Sequence, residues 1–119
     1  MTRKELADAM LQGIQTPNVE EWREGFIEVK LRSENCWVCA LGSALVARNG
    51  GDYRKAERLF DRFFALNTAT KAGEQVMASL LNIPINLAIQ VSERHLWQNQ
   101  SIEEIAAWLK SSEGGEADV

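Results

Sequence analysis

The sequence predicts a mainly α chain, a compact bundle of six or seven short helices with at most one small β-hairpin. Three observations carry this reading. Apolar residues recur at three- and four-residue steps over most of the 119 residues, the period of a helix with one buried face. One stretch alone changes period: Ile27, Val29 and Leu31 alternate with Glu28, Lys30 and Arg32 as in a half-buried strand. Breakers at Thr16-Pro17-Asn18, Asn49-Gly50-Gly51 and Pro84 keep every helix short. A chain that is 45% apolar and 25% charged at this length can bury a core without disulfide support, so a single domain is expected over residues 1–110.

Taken in order, Thr2 and Glu5 form a capping box, and Leu6, Ala7, Met10, Leu11 and Ile14 follow at helical spacing, which predicts a first helix over 2–15. Asn18 and Glu21 can cap a short second helix that turns Val19 and Trp22 inward and ends at Gly25 through a positive φ. The period-2 stretch then predicts a hairpin, with Ser33-Glu34-Asn35 as its turn and Cys36-Trp37-Val38 returning. A helix starts near Cys39 with Leu41, Ala44 and Leu45 on one face and stops at Asn49-Gly50-Gly51. Asp52 caps a helix over 52–66, whose Tyr53, Ala56, Phe60, Phe63 and Phe64 are expected to form the aromatic centre of the core. A helix near 69–81 uses Val76, Met77 and Leu80; Pro84 opens the next, which runs to about 97. Ser101 and Glu104 make the clearest capping box, followed by Ile102, Ile105, Ala106 and Leu109 on one face. Residues 111–119, Ser-Glu-Gly-Gly-Glu-Ala-Asp-Val with the preceding Ser111, read as a disordered acidic tail.

Charge narrows the function classes. The net charge is −4, and the only positive stretch is 51–72, with 5 basic against 3 acidic residues; residues 73–119 hold 2 against 7. An excess that small argues against nucleic acid as a partner. The longest nearly unbroken apolar run, Trp37 to Ala47, has 11 residues, short of the roughly 18 or more of a membrane span. No apolar leader follows Met1, so a cytoplasmic setting with reduced thiols is expected.

Four constellations invite chemistry. Cys36-x-x-Cys39 holds both cysteines, and a helix beginning at Cys39 would lower the pKa of a thiol facing its first amides. The apolar neighbours Trp37, Val38, Ala40 and Leu41 favour plain packing, and no βαβ setting of a redox motif surrounds the pair. Zinc needs four ligands, whereas Cys36, Cys39 and the single His95 are three, so neither metal nor cofactor is expected. His95 lies near a helix C-terminus, where the dipole or a surface position accounts for it, although a Cys-His catalytic pair can form only in the fold. Glu20, Glu21, Glu24 and Glu28 read as a solvated face. The helix from Ser101 to Leu109 is similar to the opening helix of a helix-turn-helix domain, but acidic chain follows where the recognition helix should stand.

Trp22-Arg23-Glu24-Gly25, a short extended stretch, and Cys39-Ala40-Leu41-Gly42-Ser43-Ala44-Leu45 together resemble the Trp-x-x-Gly and Cys-Ala-Leu-Gly-x-Ala pattern of small uncharacterised bacterial and phage helical proteins, over about a quarter of the chain. The resemblance implies a helical fold and no known activity. Ser92-Glu93 and Gln98-Asn99-Gln100 stand where such proteins often carry an Asn-Asp pair.

Two function classes remain. The first is a small interaction or regulatory module that binds another protein or itself, because four tryptophans exceed the need of a small core; Trp97 and Trp108 are the candidate anchors. The second is a thiol-dependent enzyme or redox sensor using Cys36 or Cys39, with His95 as base.

Overall fold

Thr2 and Glu5 close the N-terminus of α1 (Arg3–Ile14) reciprocally: Thr2 Oγ1 accepts the Glu5 N–H at 3.1 Å, and Glu5 Oε1 accepts the Thr2 N–H at 2.7 Å. The computed structural model describes residues 1–30, 34–67 and 71–111. After α1, Asn18 takes a left-handed φ of 70° and turns the chain into β1 (Val19–Glu21). The helix expected between Asn18 and Gly25 does not form. So short a segment cannot offset the cost of nucleating a helix alone, whereas a strand here gains a ladder: Asn18 O accepts the Cys36 N–H at 2.7 Å and Val38 O accepts the Trp22 N–H at 2.8 Å. Gly25 is not at positive φ either; it lies close against the Trp22 ring.

The expected hairpin is present as β2 (Ile27–Val29) antiparallel to β3 (Cys36–Val38), with Ile27 opposite Val38 and Val29 opposite Cys36. Leu31 and Arg32 of the expected strand, and Ser33 of its turn, lie outside the described residues. β1 joins the other side of β3 in parallel, so the sheet has three strands in the order β1-β3-β2, one more than a hairpin. Its inner face presents Val19, Cys36, Val38 and Ile27, all buried. Its outer face carries Glu20, Trp37 and Glu28 in one cross-strand row.

Five further helices complete the core: α2 (Ala40–Arg48), α3 (Tyr53–Ala65), α4 (Ala72–Leu81), α5 (Ile85–Leu96) and α6 (Ile102–Ser111). α2 is the centre, with every residue from Ala40 to Val46 buried, and α1 packs on it most extensively and on α6 next. Backbones meet closely there. A Cβ at Gly13 of α1 would strike the Ser43 carbonyl, and one at Gly42 would strike the Phe26 carbonyl, so each glycine is required by approach rather than by turn geometry. Gly50 (φ 66°) and Gly51 (φ 86°) do supply a turn, ending α2 as its Asn-Gly-Gly signal predicts.

α3 departs from expectation. Only Ala56 and Phe60 are buried, while Phe63 and Phe64 are close to half exposed, so the aromatic centre is Phe60 stacked on Phe26 (5.4 Å) rather than the whole stripe. α4 begins at Ala72, and residues 69 and 70 of the predicted helix fall outside the described chain, as does the tail from 112 onward. Ser111 belongs to α6, not to that tail. Ser101 and Glu104 cap α6 as their spacing predicts, at 3.1 and 2.8 Å. No single helix among the described residues is long and apolar enough to cross a membrane; α4 and α5 together have the composition, but are bent by 119° at their junction.

Replacing Gly42 tests the close approach. On an open helix face Gly42→Leu would gain about 0.8 kcal/mol of helix propensity. Against the Phe26 carbonyl it should instead lower stability by about 1–3 kcal/mol or prevent folding, read as a lower denaturant midpoint.

Candidate functional site

β3 and the first turn of α2 place both thiols. Cys36 is on the inner sheet face, and Cys39 is the N-cap of α2, its Sγ accepting the Gly42 N–H at 3.4 Å while Phe26 O accepts its own N–H at 3.0 Å. The helix start was expected to acidify a thiol. Burial overrides it: desolvation pushes Cys36 up to about 11 and Cys39 up to about 12, the latter despite amides that pull the other way. Both cysteines are free. At neutral pH they are thiols packed as small hydrophobes, and neither is hydrogen-bonded to His95 among the described residues.

His95 is the unexpected feature. Rather than standing on the surface at the end of α5, it is 0% exposed. The reason is the sheet register: Glu21 shares the inner face of β1 with Val19 and therefore points into the molecule, where its Oε2 lies 2.8 Å from His95 Nε2 and 3.0 Å from the Arg23 guanidinium. Arg23 also ties the cluster to the end of α5, its Nε donating to His95 O at 3.1 Å and its Nη2 to Gln100 O at 3.0 Å. Of the carboxylate set read as solvated, Glu20, Glu24 and Glu28 are exposed and Glu21 is not. The missed signal was Val19-Glu20-Glu21 as a strand, which pairs Glu21 with Val19 instead of leaving it on a polar helix face.

Burial lowers the pKa of His95 from its ordinary value of 6.5, and the Glu21 carboxylate opposes this only in part. The neutral ring donates from Nε2 to Glu21, which leaves Nδ1 as a buried acceptor with no hydrogen-bond partner among the described residues. A carboxylate-oriented histidine is half of a nucleophile-base-orienter chain, but among the described residues no nucleophile is hydrogen-bonded to its second nitrogen. Among the described residues, no three His, Cys, Asp or Glu side chains converge as metal ligands.

The tryptophans divide into three environments. Trp22 and Trp37 meet on the outer sheet face with ring centroids 5.3 Å apart and planes tilted by 36°. Trp108, a predicted anchor, is half-buried between two guanidinium groups, Arg94 at 3.7 Å and Arg3 at 4.6 Å from the ring centroid. Trp97, the other, is 81% exposed where α5 ends. Between α4 and α5 an open groove of about 380 Å³ is lined by Gln75, Ala78, Ser79, Asn82, Ile83 and Ile85.

No known protein family, curated protein or solved structure matches the chain.

Two outcomes follow from the buried groups. Cys36 and Cys39 should react with a thiol reagent at neutral pH only at the rate of unfolding, with both becoming fast in denaturant; rapid labelling of either in the folded protein would contradict their burial. For His95 the folded pKa is the lower one, so the unfolded chain binds the proton first as pH drops. Stability should therefore be unaffected by this group above about pH 6.5 and fall as the pH goes below it, until the folded His95 itself protonates. His95→Gln should flatten that part of a denaturation-against-pH profile.

Proposed function

We propose that this protein is a small interaction or regulatory module whose partner protein docks on Trp97. The observation that carries the reading is the exposure of that indole: a side chain that costs the most to leave in water stands out, 81% exposed, from the end of a helix whose Leu87 and Val91 are buried and whose next most exposed large apolar residue, Ile85, is 37% exposed. The flanking Gln98, Asn99 and Gln100 supply the polar rim that surrounds such anchors, and the Arg23 bond to Gln100 O holds that loop to the β1 end of the sheet. Trp108 contributes less, since it is partly buried and its ring already packs against the Arg3 and Arg94 guanidinium groups within the chain. Thiol chemistry at Cys36 or Cys39 finds no support in two buried, protonated sulfurs. Free thiols suit a cytoplasmic setting, which is part of the proposal.

The test compares capture of a saturable protein partner by the parent and by Trp97→Ala. Because the ring is outside the core, the variant should keep the parent's circular dichroism and denaturant midpoint within about 0.5 kcal/mol. Binding should weaken by about 2 kcal/mol or more, as for a truncated interface anchor. Undiminished binding by the folded variant would remove Trp97 as the docking residue.

A further inference from the structure

Two surfaces of this chain carry charges that form no ion pair among the described residues. On α3, Lys55, Arg58 and Arg62 lie along one stripe at three- and four-residue steps, all exposed, and none forms an ion pair among the described residues. The adjoining stripe is apolar: Phe63 is 45% exposed and Leu66 76%. On the sheet, Glu20 and Glu28 flank Trp37 across the outer face, and Glu24 is exposed beyond Trp22; these three carboxylates also lack ion pairs among the described residues. One surface is thus cationic beside apolar side chains, and the other is anionic around aromatic ones.

The spacings agree as well as the signs. Lys55 and Arg62 are two turns apart, about 10.5 Å along the helix axis. Glu20 and Glu28 are two strand spacings apart, about 9.6 Å across the sheet. A helix laid across the three strands would therefore bring a cation to each end of the Glu20-Trp37-Glu28 row, with Trp37 between them. Among the described residues, Lys30, which sits over the Trp37 ring at 4.1 Å, and Asp61, about 100° round the α3 axis from Arg62, are the opposing charges on the two surfaces, and each is outnumbered three to one.

We propose that the chain self-associates head to tail, the stripe of α3 in one copy lying across the acidic outer face of the sheet in the next. The two surfaces are different, so the contact is heterologous and leaves a free face at each end. It needs neither Trp97 nor any other partner, and its failure would leave the docking role of Trp97 standing. Unpaired charges at a contact rim act chiefly through salt-sensitive attraction and rejection of wrong pairings.

Sedimentation velocity on the full chain tests this directly. The parent should sediment faster with rising concentration at low salt and return to monomer at high salt. Arg58→Glu with Arg62→Glu, and separately Glu20→Arg with Glu28→Arg, should each weaken association about tenfold or more, since like charges then face each other. All four positions are exposed, and circular dichroism verifies the fold of each variant. Mixing the two double variants should restore association, because each supplies the complement the other has lost. A parent that stays monomeric at low salt would overturn the proposal and leave an acidic segment of another protein as the occupant of α3. Association that is indifferent to salt, or a mixture that stays monomeric, would overturn it equally.

Discussion

Phe26 joins four parts of the molecule. Its carbonyl accepts the Cys39 N–H at 3.0 Å and stands where a Cβ on Gly42 would be, so the chain leaving β3 is brought hard against the start of β2 as α2 begins. Its ring stacks on Phe60 of α3 and fills the space over Gly73 of α4 that a larger residue would need. Hydrogen bond, backbone contact and ring packing are thus concentrated in the three-residue link between Arg23 and β2. The direction of α2 follows from this junction, and since α1 packs on α2 through the equally close Gly13 contact, the position of α1 follows too.

The polar interior is arranged on the opposite side of the sheet from the aromatic pair. Three ionisable groups, Glu21, Arg23 and His95, meet there, and burial of the imidazole disfavours its charged form. Carboxylate and guanidinium satisfy one another at 3.0 Å, and the histidine, buried with one nitrogen on the carboxylate and the other without an acceptor, is held neutral. A proton on Nδ1 would be a buried donor with nothing to accept it. The cluster therefore serves mainly to fasten β1 and the end of α5 together, two segments 74 residues apart in sequence.

What is left on the outside has a pattern of its own. Among the described residues, the side chains left outside the core include one indole at the end of α5, an apolar stripe on α3 beside cations that form no ion pair there, and carboxylates around Trp22 and Trp37. Two sulfurs, the most reactive groups in the sequence, are by contrast sealed inside, with burial outweighing the helix amides that would otherwise favour the thiolate.

Helix positions, most boundaries, both capping boxes, the Asn-Gly-Gly stop and the β2-β3 hairpin were legible because each depends on residues within a few positions of one another, where period and capping act. β1 was not, since Val19-Glu20-Glu21 becomes a strand only by pairing with Cys36-Trp37-Val38, a partner that local spacing does not reveal. The same pairing turned Glu21 inward and buried His95, and the docking of α3 on its neighbours left Phe63 outside although its helical spacing matched that of Phe60. The sequence by itself marked the six helices that form, while adding one between Asn18 and Gly25 that does not, and marked Gly42 as a close-packing position and Cys39 as the point where a helix begins. Tertiary structure alone decided which charges are solvated, which thiols can ionise and which aromatics meet water, because those properties depend on the field and the burial created by residues distant in the chain.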